Sequence, residues 1–199
     1  MQMSRIQVHG LALKRVLSSR ATIEPGFEPA ETIPGHGYEL VEDLLLNAQR
    51  RAYQKRYDDA VGRLYRALEL LAQIRLKQEY AVDTGDIDPM KLPEELRDRY
   101  AAERNPRNGK IQLALWKSYT LLSELPDEAL GQHFAAEQKH LLSALEVRNH
   151  SLFAHGFKPI NALDYQNSGS VIQSFIAIAL EQLIPPKQRN PLPQFPTEF

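Results

Sequence analysis

Tyr57-Asp58-Asp59-Ala60-Val61-Gly62-Arg63-Leu64-Tyr65-Arg66-Ala67-Leu68-Glu69-Leu70-Leu71-Ala72 carries apolar side chains at Val61, Leu64, Tyr65, Leu68, Leu71 and Ala72. Steps of three and four bring them to one face of a helix turning by about 100° per residue. The stripe predicts a helix running to about Glu79, with Asp58 placed to cap its start. Upstream, from Tyr38, the residues Val41, Leu44, Leu45, Ala48 and Ala52 make a second helical stripe. Between the two stripes lies a polar patch, Arg50-Arg51 and Lys55-Arg56, and the spacing predicts two helices broken near Arg56-Tyr57.

The same reading extends along the chain. Residues 1–20 read as a short helix or a strand followed by a helix. Residues 21–37 hold Pro25, Gly26, Pro29, Pro34, Gly35 and Gly37, a density of breakers that reads as a linker. Residues 1–37 are therefore expected to be a weakly structured N-terminal segment and linker, and residues 38–184 the helical domain. Asp83-Thr84-Gly85-Asp86-Ile87-Asp88-Pro89 is a loop of turns and caps. Its acids are spaced somewhat like a calcium loop, but the glycine is misplaced and the closing glutamate is absent. Pro93-Glu94-Glu95 opens a short polar helix, and Asn105 to Gly109 ends it. Residues 110–124, with Ile111, Leu113, Leu115, Trp116, Tyr119, Leu121 and Leu122, read as a helix that is apolar around much of its circumference. Pro126-Asp127-Glu128 restarts a helix, and a further one is expected from about Ala136 to Gly156, with Gly156 as its C-terminal stop. Lys158 to Gly169 reads as a loop in which Ser168 is an N-cap. Val171 to Ile184 is a last apolar helix, stopped by Pro185-Pro186. Residues 185–199, with Pro191, Pro193 and Pro196, read as an extended, poorly ordered tail. No alternating strand pattern recurs, so the expected class is all-α, a bundle of about five helices.

Composition narrows the function classes. The chain has 199 residues, 43% of them hydrophobic, enough for a packed core. Lys and Arg number 24 against 25 Asp and Glu, a net charge of −1, so any nucleic-acid site must be local rather than a property of the whole surface. The absence of cysteine excludes disulfides and thiolate metal sites and fits a reducing compartment. No run approaches the roughly 18 apolar residues of a membrane span, and the first residues lack a signal-peptide core. The expected compartment is the cytoplasm.

One stretch carries chemistry: Glu146-Val147-Arg148-Asn149-His150-Ser151-Leu152-Phe153-Ala154-His155-Gly156. The preceding stripe, Leu141, Ala144 and Leu145, continues by threes and fours to Arg148, Leu152 and His155. A cation and a titratable base thus fall where the pattern asks for core, and an unpaired charge there is costly. One reading is structural, an arginine that pairs within the bundle and a histidine favoured by a helix end. The other is RNA cleavage. RNA supplies its own 2′-hydroxyl nucleophile. Histidine suits the proton transfers, and arginine offers a fork of donors to phosphate. This chemistry needs no metal and no cofactor. Asn149 could orient the phosphate, while His150 lies about 140° round the helix from His155.

Other residues carry less. Arg63 and Arg66 lie at helical spacings from Asp58, Asp59 and Glu69 that favour ion pairs, and either could instead face Arg148. His133, Glu137 and His140 lack the spacing of a zinc pattern. Arg97, Arg99, Arg104, Arg107 and Lys110 form a local basic cluster suited to tracking phosphates.

Two segments together, Tyr57 to Glu69 and Arg148-Asn149 with His155-Gly156-Phe157, resemble the HEPN ribonuclease domain, in particular the effector half of the CARF–HEPN ribonucleases of type III CRISPR systems. The similarity covers about residues 38–184. It implies an all-α homodimer in which Arg148 and His155 of two copies converge. It further implies metal-independent endonucleolytic cleavage of single-stranded RNA in antiviral defence, leaving 2′,3′-cyclic phosphate ends. Asn149 joins Arg148 and His155 as a catalytic residue, and His150, Arg63 and Arg66 are expected on the substrate-binding side. Relatives of this kind are switched on by cyclic oligoadenylate at a CARF domain. Residues 1–37 leave no room for one, so that partner is expected only through a domain missing here. Two alternatives stand beside this reading: a non-catalytic helical dimerisation or RNA-binding module, and a HEPN toxin held by a nucleotidyltransferase antitoxin.

Overall fold

The computed structural model describes residues 5–149 and 159–194, and the side chains of Arg5, Val147, Arg148 and Asn149 are outside the description. All regular structure among the described residues is helical. In order it comprises α1 (Arg5–Ala21), α2 (Glu39–Tyr53), α3 (Tyr57–Tyr80), α4 (Glu94–Ala101), α5 (Leu115–Glu124), α6 (Ala129–Asn149), a single turn α7 (Ala162–Asp164) and α8 (Ser170–Leu183). Where the sequence predicted about five helices, these residues hold seven of eight residues or more. The chain divides into two compact units, residues 1–68 with 137–199, and residues 69–136.

In the first unit α1 packs on α2. Their junction is knotted by the buried carboxylate of Glu39, the first residue of α2. It accepts the amides of His36 at 2.8 Å and Gly37 at 2.9 Å, and Arg15 Nη2 of α1 lies 3.2 Å away. Each donor satisfies a lone pair that burial would otherwise leave costly. Gly35 gives this carboxylate room, because a Cβ would stand 2.2 Å from it and force it to shift. Arg15 also donates to the carbonyl of Asn190 at 2.7 Å. The tail after α8 is therefore held as far as Gln194, the last described residue. Leu192 is buried, and the Gln194 side-chain amide donates to the carbonyl of Leu46 at 3.2 Å. The proline-rich composition read as disorder, but proline only removes donors; the carbonyls and side chains here still found partners.

The break between α2 and α3 falls where expected, after Tyr53 and before Tyr57. The predicted stripe is real: Val61, Leu64 and Leu68 are buried. Asp58, however, sits inside the first turn of α3 rather than at its cap. The last helix also begins earlier than the sequence suggested. Asn161 and Asp164 form a capping box that opens α7, and a π-helical turn, Tyr165–Gly169, joins it to α8. Ser168 is no cap; its hydroxyl donates to the carbonyl of Asp164 at 2.7 Å.

In the second unit the helix expected over 110–124 is shorter. Helix α5 begins at Leu115, and residues 110–114 are non-helical. Ile87 N–H donates to Ile111 O at 2.8 Å and Leu113 N–H to Thr84 O at 2.9 Å. Ile111, Leu113 and Leu115 are buried while Gln112 and Ala114 are exposed. That period of two was hidden inside an apolar run. The acids of the 83–88 loop serve as local acceptors: Asp83 takes the Gly85 amide at 2.9 Å, and Asp88 takes that of Met90 at 3.0 Å. Helix α6 starts at Ala129 rather than near Ala136. Gly131 permits this, because a Cβ there would stand 2.1 Å from the carbonyl oxygen of Leu122. Tyr119 and Trp116 stack on and edge against Phe134, each at 5.0 Å between centroids.

The second unit has its own buried carboxylate, Glu128. It accepts Arg75 Nη2 at 2.9 Å, the Tyr80 hydroxyl at 2.7 Å and the Leu130 amide at 3.0 Å. Burial pushes its pKa up, but the bonds from Arg75, Tyr80 and Leu130 outweigh it and hold the carboxyl below its ordinary 4.5. A depressed folded-state value stabilises the protein above the unfolded pKa and is lost as pH falls through the folded one. Glu128→Gln should cost about 3 kcal/mol at neutral pH, and it should flatten the acid limb of a urea-denaturation series taken below about pH 4.5. Gly131→Ala should cost a similar amount, about 3 kcal/mol by the same urea titration, because it overpacks backbone.

Candidate active site

The expected site lies in the first unit. Leu141, Ala144 and Leu145 of α6 are buried, so the stripe leading into the motif is confirmed up to that point. Arg148 and Asn149 are in the last described turn of α6, three and four residues beyond Leu145. His150, His155 and Gly156 lie outside the described residues.

The chain returns at Pro159, and the next residue is anchored. The Ile160 amide donates to both carboxylate oxygens of Asp58, each at 3.2 Å. Ile160 is itself buried. The contact is reinforced alongside by Tyr57, whose ring lies 5.6 Å from that of Tyr165 in the π-helical turn. Burial pushes the Tyr165 phenol up. The first turn of α3 therefore holds the chain just beyond the segment that carries His150 and His155.

The same turn gathers charge. Arg63 Nη1 donates to Asp59 Oδ1 and to the Asp59 carbonyl, both at 2.9 Å. Arg56 pairs with the other oxygen of Asp59. The hydrogen bond from Arg63 holds the Asp59 carboxyl below the usual carboxylate range against the cost of burial, and the charges of Arg63, Arg56 and Arg51 add to the pull. Arg50, on the last turn of α2, stands 4.0 Å from Asp43. Burial lowers its pKa; Asp43 opposes this, and the neighbouring Arg51 and Arg63 cations lower it further.

Of the residues expected on the substrate side, Arg63 is half-buried and engaged with Asp59, as the helical spacing suggested, while Arg66 is exposed on the following turn. In the sequence Arg50-Arg51 and Lys55-Arg56 are a polar patch with no evident role. The signal was the i,i+3 spacing of Arg56 and Asp59, which resembles any surface pair until the helix break folds Arg51 in beside it. The weaker candidates resolve into local contacts. His140 Nδ1 lies 3.0 Å from Glu137 on an exposed face. Arg97 donates to the carbonyl of Leu92 at 2.9 Å, and Arg99 pairs with Glu124. Among the described residues no group of three or more His, Asp or Glu is placed to hold a metal ion.

The family model for the Csm6 HEPN domain matches residues 30–179, a span that contains α2, α3, α6 and the motif. This chain belongs to the Csm6 HEPN domain family. No curated protein and no solved structure matches it. Membership joins it to domains related to the effectors of type III CRISPR systems, and HEPN domains are generally ribonucleases. No helix among the described residues is long and apolar enough to cross a membrane. Within this HEPN domain the anchoring of Ile160 is open to direct measurement. Asp58→Ala should leave that buried amide without its acceptor. The expected cost is about 2 kcal/mol by chemical denaturation, with faster hydrogen exchange at Ile160 than at the amides of α8.

Proposed function

We propose that this HEPN domain is a metal-independent endoribonuclease that cleaves single-stranded RNA. The observation that carries the reading is the Csm6 HEPN match across residues 30–179, with Arg148-Asn149 at the end of α6 and His155 following in the motif order. The RNA 2′-oxygen loses its proton, attacks phosphorus and forms the 2′,3′-cyclic phosphate. The bond from phosphorus to the 5′-oxygen breaks, and that oxygen is protonated as it leaves. His155 carries the proton transfers, since histidine titrates near neutrality. Arg148 stays charged and stabilises the negative charge on the phosphoryl oxygens. Asn149 orients the phosphate, and His150, Arg63 and Arg66 line the approach of the strand.

One arginine and one histidine are a small set, and a twofold homodimer doubles it without new sequence. The working unit is therefore a dimer with both motifs in one cleft, acting in type III CRISPR defence. Cyclic oligoadenylate would control it through a CARF domain, a role that helix α1 and the connector of residues 22–37 do not fill. The helical domain is residues 38–184, with residues 1–37 and 185–199 as its flanks.

Arg148→Ala and His155→Ala should each reduce RNA cleavage by about a hundredfold or more while circular dichroism is unchanged. Cleavage should persist in EDTA and leave cyclic phosphate ends. Loss of activity on chelation would overturn the mechanism. RNA binding without cleavage by the intact protein would favour a non-catalytic binding module, and co-purification with a nucleotidyltransferase would favour a silenced toxin.

A further inference from the structure

The junction of α2 and α3 concentrates positive charge in a chain whose net charge is −1. Arg56 and Arg63 pair with the carboxylate of Asp59, and the charge of Arg51, at the end of α2, adds to the field that lowers its pKa. Asp59 and its neighbour Asp58, which keeps its negative charge while accepting the Ile160 amide, together offset two of these three cations. Arg51 gives one Nη1 bond to Gln54 at 3.0 Å, while its Nε is buried with no hydrogen-bond partner. A buried donor on a charged group left unpaired is costly, which makes the position a receptor for an anion. Arg56 is 57% exposed and Arg63 25%, so the cluster opens to solvent on one side. Lys55 is exposed next to it.

Position selects the anion. The first turn of α3 carries both Asp59, which pairs with Arg56 and Arg63, and Asp58, which holds Ile160 just beyond the segment carrying His150 and His155. We propose that Arg51, Arg56 and Arg63 form a phosphate-binding subsite that takes a backbone phosphodiester of single-stranded RNA flanking the cleaved bond. Asp59 acts as an internal counter-ion that keeps the guanidinium groups gathered when no strand is bound. The guanidinium fork suits phosphate oxygens better than a point charge does. The subsite deepens the ribonuclease reading and rests on it for the identity of the strand.

The test uses the whole chain and a fluorescent oligoribonucleotide together with its 2′-deoxy analogue. The deoxy strand cannot be cut by 2′-hydroxyl attack, so binding to the unaltered active site can be followed by polarisation across a salt series. The double variant Arg51→Gln, Arg56→Gln should weaken binding of both strands roughly tenfold or more. It should also reduce the slope of log affinity against log salt by about 0.7, the value for one phosphate contact on a single strand. Arg51→Lys with Arg56→Lys should restore most of the slope, which packing alone would not do. Asp59→Asn should tighten binding, because it removes a negative charge from the subsite; a merely structural Asp59 would leave affinity unchanged or lower it. An unchanged slope in the double variant, with its helical circular dichroism intact, overturns the subsite even if the RNA is cut. Cluster-dependent binding of an RNA that is never cut keeps the subsite and overturns the ribonuclease reading.

Discussion

Asp58 accepts the amide of Ile160 across 102 positions of chain, both oxygens at 3.2 Å. The amide is on a buried residue, and a backbone donor there must find a partner or cost about 1–3 kcal/mol. By meeting that need, a side chain in the first turn of α3 fixes where the chain re-enters after the motif. The capping box of Asn161 and Asp164, the π-helical turn and α8 all follow from that point. A π turn inserts an extra residue in the helical ladder. Here it coincides with Gly169, whose absent side chain leaves room for the Tyr165 ring that meets Tyr57.

Each compact unit is also organised by one buried carboxylate with several donors. Glu39 takes two backbone amides and an arginine in the first; Glu128 takes an arginine, a phenol and a backbone amide in the second. Charge-assisted bonds of this kind are short and directional. They specify which element ends meet, whereas apolar burial only requires that some apolar faces meet. Asp59 differs because it is part-exposed and outnumbered by guanidinium groups. Glu39 and Glu128 act as closed knots, while Asp59 sits at a cluster that opens to solvent through the exposed Arg56.

A chain of net charge −1 can still serve a polyanionic substrate if its cations are concentrated where the strand passes. The arginines at the junction of α2 and α3 supply such a concentration around Asp59. Elsewhere several basic residues are each offset by one acid: Arg99 by Glu124, Lys117 by Glu103, Lys14 by Glu31. The contrast is between cations matched singly and cations that share a counter-ion.

The sequence by itself determined whatever repeats at helical spacing. The stripes through Val61, Leu64 and Leu68 and through Leu141, Ala144 and Leu145, the break before Tyr57, and the ordered pair of segments that marks the HEPN family all follow from residues a few positions apart. Only the tertiary structure decided what depends on partners far away in the chain. Ile111 and Leu113 became extended because their backbone groups met those of Ile87 and Thr84. Residues 185–194 of the proline-rich tail are held because Arg15, 175 positions away, reaches the carbonyl of Asn190. Asp58 left the expected cap role for an amide that no local spacing could announce. Arg51 and Arg56 joined Arg63 around Asp59 only when the helix break brought the end of α2 against the start of α3. Periodicity records which face of a helix is buried. It does not record which donor meets which acceptor, because that depends on how the chain closes on itself.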